Sequence, residues 1–118
     1  MELAALRQYE RQIEEACPFP PPEVELNFRH MFGALGAYAR GRIFCFVTSE
    51  GLAVKLDDYG QGELREDAPD ARNLSWTTKY LIAPPAVVDD PARLSDWLGR
   101  SIEYVLSQPP KKKGKGRR

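Results

Sequence analysis

Few residues in this 118-residue chain have the type and spacing to do chemistry, and each has a plainer use. His30 is the one histidine, and Cys17 and Cys45 are the only thiols. A zinc site needs three or four such ligands, closely spaced, and no acid stands at ligand spacing beside His30. A hydrogen-bonded histidine at the rim of a core is the expected role. Cys45 sits between Phe44 and Phe46, where a thiol acts as a small hydrophobe. Cys17 follows a helical pattern, and a helix C-terminus raises a thiol pKa. Ser49, Ser75, Ser95 and Ser101 have no histidine nearby and no nucleophile-elbow pattern. The pairs Gly33 with Gly36 and Gly60 with Gly62 lack the lysine and helix start of a phosphate loop. An enzyme would need a pocket gathered from His30, Cys45, Tyr38 and Tyr80, for which the sequence offers no reason. No catalytic role, metal or cofactor is predicted.

Two groups of residues suit contact better than catalysis. Met31-Phe32-Gly33 joins a thioether and an aromatic ring, side chains that adapt well to a partner. The plainer expectation is a strand that begins buried and bulges at Gly33. Arg29, Arg40 and Arg42, with Lys55 and Lys79 on nearby strands, form either an anion patch or a charged edge that discourages strand-to-strand aggregation. The second use is expected.

Charge is uneven along the chain. Lys and Arg total 17 and Asp and Glu total 17, yet Lys111, Lys112, Lys113, Lys115, Arg117 and Arg118 all fall in the last eight residues. The body therefore carries a net charge of −6 and the end is cationic. Such an end binds polyanions by counterion release, with a salt slope of up to about −5 on duplex DNA. Either nonspecific nucleic-acid contact or a solubility tail accounts for it. Residues 109–118 are expected to be a disordered basic tail on a domain spanning 1–108.

The elements that must position these residues follow from periodicity. Leu3, Leu6, Tyr9, Ile13 and Ala16 form a helical stripe, stopped by Pro18 and the prolines after it. Val24, Leu26, Phe28, His30 and Phe32 alternate as in a half-buried strand. Ile43 to Val47 is nearly continuous apolar, as in a strand covered on both faces, and Leu52 to Leu56 alternates. Glycine turns at Gly41 and Gly51 separate these runs. Gly60 and Gly62 weaken any helix between Asp57 and Arg72, so an irregular segment is predicted there. Asn73–Trp76 and Lys79–Ala83 are expected strands. Asp90, an N-cap, and Pro91 open a last helix marked by Leu94, Trp97, Leu98, Ile102, Val105 and Leu106. No 18-residue apolar run or secretory signal occurs, so the expectation is a cytoplasmic protein with no membrane contact.

Met31-Phe32-Gly33 with Gly36 and Tyr38, then Gly41-Arg42 leading to Phe44 and Phe46, carry a family likeness. Gly51-Leu52-Ala53-Val54-Lys55-Leu56, Tyr80 ahead of Pro84, and Asp89-Asp90-Pro91 with Leu94, Trp97, Leu98 and Ser101 extend it. Over roughly residues 23 to 106 the chain resembles the N-terminal domain of the TfoX (Sxy) family of bacterial competence regulators. The resemblance implies a two-layer α+β fold, an antiparallel sheet covered by helices in the order α-β-β-β-α-β-β-α. Known members act as transcription co-activators with the cyclic-AMP receptor protein and carry a second, C-terminal domain. This chain has KKKGKGRR in its place, which implies a stand-alone domain. The expected function is a non-enzymatic regulatory or protein-interaction module, with protein partners or self-association. The alternative is a nucleic-acid-associated protein that binds through its tail.

Overall fold

The structure is a computed structural model and describes residues 2–19 and 23–109. The expected tail, beyond Pro109, lies outside the described residues. Six strands form one open antiparallel sheet: β1 (Leu26–Met31), β2 (Ala34–Ala39), β3 (Arg42–Thr48), β4 (Gly51–Lys55), β5 (Arg72–Leu74) and β6 (Thr77–Ile82). Their spatial order is β1-β2-β3-β4-β6-β5, so β1 and β5 are the edges. The helices are α1 (Leu3–Ala16), α2 (Asp58–Asp67), α3 (Pro85–Val88) and α4 (Pro91–Ser107). The α+β class and the order of elements are as the sequence led us to expect, with two refinements. The first strand region folds back on itself to make β1 and β2, and a single turn of helix, α3, precedes α4.

That fold-back corrects the expected bulge at Gly33. Phe32 and Gly33 have φ of 52° and 72°, and Arg40 and Gly41 have φ of 51° and 78°. Positive φ at both central residues is the tight hairpin turn whose twist matches the flanking strands. The true bulge is elsewhere. Ala37 pairs with Cys45 and Tyr38 with Ile43, leaving Phe44 as the extra residue of β3.

Register divides the sheet into two faces. Leu35, Ala37, Cys45, Val47, Leu52, Val54 and Leu81 pack with Leu6, Ile13, Leu64, Val87, Leu94, Leu98 and Ile102 of the helices in one buried core. The opposite face holds a smaller cluster of strand residues only: Ala53, Leu74, Tyr80 and Ile82, with Phe46 against them. Among the described residues no helix contributes to it. The near-continuous apolar run of β3 thus serves a large core with Phe44, Cys45 and Val47 and a small one with Phe46.

The irregular segment expected after Asp57 is instead helix α2. Its N-cap Asp57 accepts a bond from the Gly60 amide at 2.7 Å. Gln61, buried, donates from Nε2 to the carbonyls of Leu56 and Thr78, and its Oε1 accepts from Asn73. Leu64 is fully buried. These tertiary ties offset the roughly 1 kcal/mol that each glycine costs a helix. At Gly60 a Cβ would also lie 3.1 Å from Asp57 Oδ1, so the cap itself favours glycine there.

Helix α4 is anchored at both ends. Asp90 caps it, accepting from the amides of Ala92 and Arg93. At its C-terminus the Arg42 guanidinium donates to the carbonyls of Val105 (2.6 Å) and Gln108. Midway, Ser101 Oγ lies 2.7 Å from the carbonyl oxygens of both Phe44 and Lys55, on the bulged stretch of the sheet.

Candidate interaction surfaces

The turn between β1 and β2 carries the first surface. Phe32 is fully exposed at its tip, flanked by half-buried Met31 and by Gly33. A phenylalanine here violates two local preferences at once. Its φ is in the left-handed region, where glycine, asparagine and aspartate are favoured, and its ring is left fully exposed. Strand alternation had placed Phe32 beside Phe28 and His30, and the turn cancels that alternation.

The outer face of the sheet is the second surface. Tyr38 on β2, Phe46 on β3 and Tyr80 on β6 project from it, and Trp76 in the β5–β6 turn closes over Phe46. The Phe46 and Trp76 centroids are 5.5 Å apart in an edge-on arrangement, and Trp76 is 6.4 Å from Tyr80. Trp76 remains 59% exposed. Two cations lie over rings of this face: the Arg29 guanidinium 5.2 Å from the Tyr38 centroid and the Lys55 ammonium 5.9 Å from that of Tyr80. Burial pushes the Tyr80 hydroxyl up to about 12, so it stays a neutral phenol in use.

The three arginines expected to gather do not share a surface. Arg29 rides on the outer face, whereas Arg42 pairs with inward-facing Ala39 and is spent on the end of α4. Arg40, in the β2–β3 turn, donates to the Glu23 carbonyl at 2.8 Å. Lys111, Lys112, Lys113, Lys115, Arg117 and Arg118 lie outside the described residues.

The residues weighed for catalysis are also apart. His30 and Cys45 belong to the helix-covered face, Tyr38 and Tyr80 to the other. His30 Nε2 meets the Glu10 carboxylate of α1, a partner brought by the fold from 20 residues away. Cys45 is wholly buried and its thiol pKa is driven up by desolvation; burial raises that of Cys17 as well. Among the described residues no group of three or more His, Cys, Asp or Glu could hold a metal ion.

The groove between α2 and α4 is lined by charge already spoken for. Asp67 accepts from Arg93 at 3.0 Å and from Trp97 Nε1 at 3.2 Å, and Glu63 pairs with Arg100, which stacks on Trp97. Arg93, then Trp97, hold the Asp67 carboxyl below its ordinary pKa, and Arg100 does the same for Glu63. These pairs tie α2 to α4.

Sequence reasoning missed the outer aromatic face because its members come from four separate segments. Tyr38, Phe46 and Tyr80 each sit at a strand position whose facing is settled only by register, and Trp76 was assigned to a strand rather than to the turn. The arrangement defines a small α+β domain whose antiparallel sheet is covered by helices on one face. The TfoX N-terminal domain family model matches residues 22–105. The chain belongs to the TfoX N-terminal domain family. No curated protein matches it. No helix among the described residues is long and apolar enough to cross a membrane.

Proposed function

We infer that this domain is a non-enzymatic regulatory module that acts in the cytoplasm by contact with a protein partner, through the Met31-Phe32-Gly33 tip. The observation that carries this is Phe32 itself. Its positive φ and full exposure both work against folding, and residues that break local rules without a structural return mark contact sites. Membership in a family of competence regulators supports the regulatory part. The partner meets a single aromatic ring on a rigid two-strand support, the form of a small interface anchor. A second copy of the chain is another candidate occupant of the tip.

The test is complementation. Transcripts are compared between cells lacking this chain, cells carrying it, and cells carrying Phe32→Asn. The variant is expected to fold at least as well as the parent and to leave the transcript profile of the deletion. Full complementation by Phe32→Asn, or a profile that the chain does not alter, overturns the reading. The alternative, a nucleic-acid-associated protein held by its tail, rests on six cations in the last eight residues. It predicts that replacing those six, and not Phe32, abolishes the effect.

A further inference from the structure

The two edges of the sheet are built differently. β5 is three residues long, carries Arg72, and has its Asn73 side chain tied to Gln61, Thr78 and Tyr80. Such an edge offers little to a visiting strand. β1 is six residues long, with no proline or lysine and no bulge in its pairing with β2. Its one arginine, Arg29, is turned to the outer face, over Tyr38. Among the described residues no strand lies beyond it.

The hairpin fixes which backbone groups β1 leaves open. Met31 and Ala34 flank the two-residue turn and so form a hydrogen-bonded pair. Alternation then bonds Arg29 to Gly36 and Asn27 to Tyr38, and the Arg40 amide continues the ladder on the Glu25 carbonyl. The N–H and C=O groups of Leu26, Phe28 and His30 therefore point away from the sheet. Their side chains lie on the helix-covered face, Leu26 and Phe28 against the core and His30 against Glu10.

We propose that β1 pairs antiparallel with β1 of a second copy, about a two-fold axis at Phe28, making one continuous sheet. In this register Phe28 meets its own copy and Leu26 meets His30, and each such pair exchanges two N–H···O bonds. Between them Asn27 stands opposite Arg29. An axis at Arg29 would set two guanidiniums against each other, which is unfavourable. An axis at Asn27 would set His30 opposite Val24, outside the strand. A slip of one residue would oppose inward side chains to outward ones. Helix α1 marks a second copy as the occupant. It runs beside this edge, since Glu10 meets His30, and the axis sets it antiparallel to its copy. Its exposed cations, Arg7 and Arg11, precede its exposed acids, Glu14 and Glu15, so opposite charges approach. A strand from another protein would find the open backbone but not this reciprocal charge. The pairing ends at His30 and the Phe32 tip lies past it, so the proposal does not depend on the function inferred there.

The test is sedimentation equilibrium of the full chain from about 1 to 500 µM, which reads self-association by mass action. A monomer–dimer equilibrium is expected. Asn27 and Arg29 are exposed, so substitutions there leave the fold intact. Asn27→Arg opposes like charges at two symmetric places and should weaken the dimer about fivefold. Asn27→Glu should tighten it by a similar factor. In a Cys17→Ser background, oxidation should cross-link a mixture of Asn27→Cys and Arg29→Cys, and neither variant alone. Opposed Cα atoms there stand about 4.5 Å apart, within disulfide reach. By amide exchange, Leu26, Phe28 and His30 should gain protection as concentration rises, while Asn27, Arg29 and Met31 are protected throughout. A chain that stays monomeric over the whole range overturns the proposal. So does a dimer indifferent to both Asn27 charge variants, or one that leaves the Leu26, Phe28 and His30 amides open. Phe32→Asn should dimerise as the parent does, so failure here and failure of the complementation test remain distinguishable.

Discussion

At the scale of single residues, the most consequential polar group is a serine with no chemistry to perform. Ser101 is wholly buried, and its hydroxyl stands 2.7 Å from two carbonyl oxygens, those of Phe44 and Lys55. One hydroxyl proton serves two acceptors. The bulge explains the need: the extra residue Phe44 cannot keep the regular ladder, and its carbonyl needs a donor from another layer. Ser101→Ala leaves both acceptors without that donor in a dry site. The expected cost is about 1–3 kcal/mol, seen as a lower urea midpoint at unchanged m-value. An unchanged midpoint would mean that the carbonyls find other donors.

At the scale of elements, the β1–β2 hairpin and helix α2 show opposite departures from local preference. In α2 the glycines are tolerated because a cap, a buried glutamine and a buried leucine hold the helix from outside. In the hairpin, Phe32 is fully exposed and gains no burial. Phe32→Asn places a residue at home in the left-handed region on a turn already built for it, and should raise stability by about 0.5–1 kcal/mol. Gly33→Val moves the other way, by about 1–2 kcal/mol, because a branched side chain resists the positive φ of 72°. Thermal denaturation of the two variants side by side reads both signs. If both lower the midpoint, the Phe32 ring contributes packing that its exposure does not disclose.

At the scale of the whole molecule, the carboxylates of the described residues are kept out of the sheet, while basic residues stand on strands and helices alike. Three of those acids have depressed pKa values: Glu50 through Ser75, Glu63 through Arg100 and Asp67 through Arg93. A carboxyl with a lower pKa folded than unfolded adds stability that is present above its unfolded value and is lost as pH falls through its folded value. The urea midpoint should therefore hold from neutral pH down to about 4–5 and fall below that. Asp67→Asn is expected to flatten part of the acid limb, and the exposure of all three groups keeps the effect modest and salt-sensitive. An acid limb with the same slope in Asp67→Asn would remove that residue from the account.

The sequence by itself determined what periodicity and punctuation can specify. The stripe of α1, the Asp90-Pro91 start of α4, the glycine turn at Gly41 and the short strands around it are local statements, each enforced within a few residues. The family was legible too, because its blocks are contiguous. Tertiary structure decided the rest. Whether Gly33 bulged or turned depended on β2 folding back onto β1, and whether 58–67 was helical depended on Gln61 reaching Leu56 and Thr78. Arg42 became a helix anchor only when α4 arrived over it. The outer aromatic face depended on register most of all. One residue of slip sends every side chain of a strand to the other face, so no local pattern places Tyr38, Phe46, Trp76 and Tyr80 together. Pairing across the sheet puts them there, and pairing is a property of the folded chain.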